Sequence, residues 1–208
     1  MADLNARDAK LVQYLNEALA KEKELETALT AHIGMTTRPP YKKRLQEHLR
    51  ETKAHARGLE RRIKQLGGTR ASATAVSTVA SRALAAAKGP VHTIRGTGEQ
   101  EKMLKNAKTE YSEEHEEIAT YTAIETLAEA VGDSDTAKLA RGIRREEERM
   151  ARFLERLIPT LTRAVTQEEI PAAERRTNGT RRRSSGSRSR SSSGSRSRSS
   201  SGSRSRAS

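Results

Sequence analysis

The chain has no cysteine and no tryptophan, and only one phenylalanine and four tyrosines in 208 residues. Without cysteine there is neither a disulfide framework nor a thiolate metal site, so a reducing cytoplasm is the expected setting. With aromatics at 2 %, a β-sandwich or barrel would lack its preferred strand formers. No run of residues approaches the ~18 consecutive apolar positions of a membrane span. The opening MADLNARDAK carries no apolar core of the signal-peptide type. The sequon Asn178-Gly179-Thr180 has little weight without secretion. Ala, Leu, Glu, Lys and Arg dominate instead, and these are strong helix formers. The expectation is an all-α protein with no membrane insertion.

Acid is missing from one part of the chain. Between Arg175 and Ser208 there are eleven arginines and no Asp or Glu, which leaves +2 of the +13 net charge for residues 1–174. The last part repeats an octamer, SSGSRSRS at 184–191 and again at 192–199, then SSGSRSRA from 200. Arg, Ser and Gly cannot bury a core, so residues 171–208 are expected to be a disordered tail. Arg181, Arg182, Arg183, Arg188, Arg190, Arg196, Arg198, Arg204 and Arg206 would attract DNA or RNA non-specifically through phosphates. No aromatic lies between them for base stacking. The plainer alternative is a solubilising tail.

Residues 1–7 read as an extension and residues 8–170 as a helical domain. The first helix is expected over 8–32, with the inward stripe Leu11, Leu15, Ala18, Glu22, Leu25, Leu29. The second spans 41–65, with Leu45, His48, Thr52, His55 and Leu59 on one face. Residues 67–100 form a long connection whose stretch ASATAVSTVASRALAAAK reads as a loose helix. The third helix runs over 99–131 with Leu104, Ala107, Tyr111, Glu114, Ile118 and Tyr121 inward. The fourth runs over 135–157 with Leu139, Ile143, Glu146 or Glu147, and Met150 inward. Pro159 ends or kinks it, and a weaker extension reaches Glu169.

Each helix thus carries ionisable residues near its midpoint. In a bundle of near-parallel axes these fall in one layer, where buried anions must be protonated, paired or bound to metal. Carboxylate and imidazole suit divalent iron or manganese. Ferritin-like bundles use such a layer and have one long crossover, and here the long connection lies between helices 2 and 3. The competing reading leaves these glutamates at the boundary, reaching water. Glu113, Glu116, Glu125, Glu147 and Glu148 are expected to be solvated.

Residues 8–157 resemble the YciE/YciF-like family of ferritin-like stress proteins. The resemblance rests on Ala-Lys-Glu-Lys around Glu22, EHLRETKAHARGLE in helix 2, EHEEIATYTAI in helix 3 and REEERMARFLE in helix 4. It implies a ferritin-like four-helix bundle, a homodimer, a stress-response role and a site for two iron or manganese ions. The implied ligands are Glu22, Glu51, His55, Glu114, Glu117 and Glu146, with His48 and His115 as further candidates. Glu22 and Glu114 would be terminal, while Glu51 and Glu146 would bridge. The chain departs from a clean Glu-x-x-His in helix 2 and has Arg149 where helix 4 would carry the histidine. Three functions stay open: a di-metal bundle with ferroxidase-like or peroxide-consuming chemistry, a nucleic-acid-associated protein, and a structural bundle with a vestigial site.

Overall fold

The structure is a computed structural model that describes residues 4–69 and 98–175. Among them are four helices and no strand: α1 (Ala6–Met35), α2 (Pro39–Gln65), α3 (Glu99–Ala130) and α4 (Ser134–Glu169). The loose helix expected within 71–88, the tail and its arginines from 181 onward lie outside the described residues. No helix among those described is long and apolar enough to cross a membrane.

Local chemistry sets the helix ends. The Asn5 side chain caps α1 by accepting from the Asp8 amide at 2.8 Å. Gly34 does not stop α1, which runs to Met35 with Thr36 as its C-cap, shortly before the Pro39-Pro40 pair. Those prolines occupy the first turn of α2, where no backbone donor is needed. Gly132 turns the chain between α3 and α4 with φ 73°, and the Asp133 side chain then accepts from the Thr136 amide at 3.1 Å. Pro159 lies inside α4 without ending it. The fully buried Leu161 beyond it anchors the last turns to the core.

α1 packs against α2 and α3, and α4 against α3 and α2. One apolar cluster joins Val12 and Leu15 of α1 to Leu59 and Ile63 of α2, Ile124 of α3 and Ile143 of α4. The other joins Leu29, Tyr41, Leu45, Met103 and Leu154. Low-numbered α2 residues therefore share a level with low-numbered α3 residues, so these two helices run parallel while each is antiparallel to its hairpin partner. The connection between α2 and α3 begins at one end of the bundle and finishes at the other.

Between the two apolar clusters lies a layer of buried polar side chains. Glu22, His48, Glu110, Glu114 and Glu147 have no exposed surface, and Glu117 and His55 are nearly as enclosed. Two expectations are corrected here. Glu113 and Glu147 are buried rather than solvated. The inward face of α3 is centred on Met103, Asn106, Glu110, Glu113, Glu117 and Tyr121, while Leu104, Tyr111 and Ile118 flank it half-buried. Reading α3 by hydrophobicity rotated its face, because the groups facing inward are mostly polar.

Candidate metal centre

All four helices contribute to this layer. α1 supplies Glu22, α2 His48 and His55, α3 Glu114 and Glu117, and α4 Glu147. On α2 the two histidines are seven residues apart, two helical turns, so both rings point the same way. On α4 Glu147 falls between Ile143 and Met150, spacings of four and three that keep it on the core face.

Two triads form. Glu22, His55 and Glu147 place one ligand atom each within 4.8 Å of one another, as do His48, Glu114 and Glu147. His55 Nδ1 lies 3.3 Å from Glu22 and 3.0 Å from Glu147. His48 Nε2 lies 3.0 Å from Glu114 and 3.5 Å from Glu147. Glu147 belongs to both triads, one through each carboxylate oxygen.

These contacts are close, yet they are not aligned as hydrogen bonds. His48 Nε2, His55 Nδ1, Glu22 Oε2, Glu117 Oε2 and both oxygens of Glu114 and Glu147 have no hydrogen-bond partner. Orphaned buried polar atoms are rare and ask for a cause. A shared cation supplies one: neighbouring ligands of an octahedral ion with bonds of about 2.1 Å sit about 3 Å apart.

The far side of each imidazole fixes its tautomer. His55 Nε2 donates to Glu146 at 2.7 Å, so in the neutral ring Nδ1 is the lone pair toward Glu22 and Glu147. His48 Nδ1 donates to Glu51 at 3.1 Å, which leaves Nε2 toward Glu114 and Glu147. A carboxylate behind an imidazole that faces a metal orients the ring and raises its basicity. Glu51 is itself held by Arg44 at 3.0 Å, and Arg149 lies 3.3 Å from Glu146.

The sequence-derived residues thus separate. The structure brings together Glu22, His48, His55 and Glu114, with Glu117 beside them. Glu51 and Glu146 stand behind the histidines instead of at the centre, and His115 is exposed with Nδ1 on the Tyr111 carbonyl at 2.8 Å. Glu147 rather than Glu146 faces the centre; Ile143 and Met150 flank both residues at helical spacing, so the spacing by itself admits either.

Without a cation the layer is electrostatically strained. Burial pushes the Glu147 carboxyl up to about 7, against the pull of His55 and His48. Burial also raises Glu22, partly offset by His55. Burial and then the neighbouring Glu22, Glu147 and Glu114 hold Glu117 well above the carboxylate range. Burial disfavours charge on the imidazoles as well, but Glu147 and Glu22 lift His55 to about 10. Glu114, Glu51 and Glu147 lift His48 well above its usual value. Glu51 falls to about 2 because His48 and Arg44 outweigh its burial. Four carboxylates face two imidazoliums; two divalent ions would balance four carboxylates with the imidazoles neutral. The donor set fits such a pair.

Residues 7–167 match the family described as a domain of unknown function, DUF892. Solved structures share the fold. A protein from Xanthomonas campestris is 26 % identical with a TM-score of 0.63, over 78 % of this chain and 98 % of that one. YcfI, a putative structural protein from Rhodopseudomonas palustris, is 21 % identical with a TM-score of 0.61, over 74 % and 96 %. The Escherichia coli stress protein YciF is 20 % identical with a TM-score of 0.63, over 76 % and 98 %. No curated protein matches the chain.

Proposed function

The chain belongs to the DUF892 family, and from that premise we propose that its bundle is a ferritin-like protein holding two divalent iron or manganese ions in the core. The observation that supports this best is the pair of imidazoles, each with one nitrogen tied to a carboxylate and the other aimed, unpartnered, at a second carboxylate. Glu22, His55 and Glu147 would hold one ion, and His48, Glu114 and Glu147 the other. Glu147 would bridge, and Glu117 lies beside both. Bound there, two such ions would supply one-electron redox chemistry toward O₂ or peroxide, which suits a role in oxidative stress.

The chain's own residues would prepare that site. Tyr121 donates its hydroxyl to Glu22 Oε1, fixing which oxygen of Glu22 stays free. Lys21 Nζ pairs with Glu116 at 3.1 Å and places a positive charge near Glu117. The apolar clusters on either side exclude water. Metal analysis of protein purified without a histidine tag tests the reading. The expected result is at least two ions per chain and a melting temperature that rises with added Fe(II) or Mn(II). A protein that stays metal-free and whose melting ignores Fe(II), Mn(II) and Zn(II) would refute it.

A second reading rests on the arginine-rich sequence from 175 onward. The tail would bind nucleic-acid phosphates, with affinity falling steeply as salt rises. A mobility-shift titration of the full chain against residues 1–174 decides it; equal retardation of both would remove the tail as the binder.

A further inference from the structure

A second buried polar group lies on the Met103 side of the metal layer. Glu110 precedes Glu114 by one turn of α3, about 6 Å along the axis. His32 of α1 hydrogen-bonds one oxygen of Glu110 through Nδ1. The other oxygen, Glu110 Oε2, has no partner. Asn106, one further turn along the same face, is wholly buried with both amide atoms unpartnered. Tyr41 of α2 is also wholly buried with its hydroxyl unpartnered, and it packs in the same apolar cluster as Met103 and Ala107 of α3, on either side of Asn106.

We propose that this cluster is a third cation site, taking one hard divalent ion on Glu110 Oε2, Asn106 Oδ1 and the Tyr41 hydroxyl. The site lies outside the two triads and shares no residue with them. α2 and α3 supply the donors, α1 supplies the histidine behind Glu110, and each open atom is an oxygen or sits beside one. An oxygen donor set of carboxylate, amide carbonyl and hydroxyl selects Mn(II) or Mg(II) over softer metals. His32 acts behind Glu110, as Glu51 and Glu146 act behind their histidines: its hydrogen bond holds the carboxylate with one oxygen turned to the ion. A hydrophobic core at this position would have used leucine and phenylalanine, as the surrounding Leu29, Leu45 and Leu154 do.

Mn(II) is the probe. Full-length protein is loaded, freed of unbound ion by gel filtration, and measured by electron paramagnetic resonance. A lone Mn(II) gives resolved hyperfine structure, whereas two ions sharing a carboxylate give a coupled spectrum. The expected result is both spectra in the native protein, with Glu110→Gln losing the lone ion and keeping the coupled pair. Asn106→Leu, of similar volume, should lose the same ion, so that a folding defect in one variant does not decide the matter. A coupled pair with no lone ion overturns the third site and leaves the core reading intact. A lone ion that survives both substitutions overturns it too, since the ion then sits elsewhere. A lone ion lost in both variants, with no coupled pair in the native protein, supports this site and refutes the core pair. No bound Mn(II) refutes both.

Discussion

Replacing Glu147 with glutamine should remove a pH-dependent destabilisation of the metal-free protein and abolish its stabilisation by metal. Glu147 has no exposed surface and its carboxyl is raised from 4.5 to about 7. A raised acid makes the fold lose stability as pH climbs from the ordinary value to the raised one. The shift corresponds to about 3 kcal/mol, fully lost above pH 7 and absent below pH 4.5. Glutamine keeps the shape without the charge, though an unsatisfied amide costs about 1–3 kcal/mol at any pH. That constant cancels when the variant is compared with the native protein at two pH values. The difference in stability between them should therefore move by about 3 kcal/mol from pH 4.5 to pH 8, or ~6–12 °C in melting temperature for a domain of this size. With metal the sign reverses. Two ions, each at one hundred times its dissociation constant, add about 5 kcal/mol to the native protein, or ~10–20 °C. Glu147→Gln cuts both triads to two ligands and should lose most of that. Thermal melts by circular dichroism, with and without Mn(II), read all four conditions. An unchanged metal shift in the variant, or a pH-independent difference between the two proteins, would refute the reasoning.

Metal binding should release protons, because His55 titrates at about 10 and His48 well above its usual range; each displaced proton makes affinity rise about tenfold per pH unit. Calorimetry at pH 8 in buffers of different ionisation enthalpy should count close to one proton per imidazole, and a count of zero would remove the histidines as ligands. In the metal-free protein the His55 imidazolium supports the fold fully below pH 6.5, and that support fades as pH rises through about 10. Arg62→Ala should cost about 3 kcal/mol, since Arg62 Nη2 holds the two oxygens of the buried Asp133 at 2.7 and 2.6 Å while its Nε reaches Thr136 at 2.7 Å. Asp133 is buried, but the bonds from Arg62 and Thr136 outweigh that and lower it below 3.8. Its contribution is thus present above the ordinary pKa, so chemical denaturation should show the Arg62→Ala penalty shrinking as pH falls below 3.8. Alanine at two glycines should act in opposite directions. Neither Gly132 nor Gly142 has a neighbour within 4 Å of an added Cβ. Gly132 has φ +73° and should lose about 1–2 kcal/mol to backbone strain. Gly142, inside α4, should gain about 0.5–1 kcal/mol.

The helices were legible in the sequence because each carries its own signals. The Pro39-Pro40 pair, Gly132 and Asp133 mark ends through backbone chemistry that needs no partner. The length of residues 67–100 announced a connection able to span the bundle, and the parallel α2 and α3 require one. Glu22, His48, His55 and Glu114 could be placed inward because apolar residues flank them at helical spacing. Glu147 and the Asn106–Glu110–Glu113–Glu117 face could not be placed that way. Hydrophobic periodicity points toward the core only where the core is apolar, and here the inward residues are the polar ones.

The sequence by itself determined the four helices, their ends and the level at which their charges meet, since these follow from local spacing and backbone capping. Only the packed bundle decided which carboxylates face the centre and which stand behind the imidazoles. Adjacent residues such as Glu146 and Glu147 differ by about 100° around the axis. Which of them faces inward depends on how α4 is rotated against α2, a choice made by Ile143, Met150 and Leu154 seeking the apolar clusters at either side.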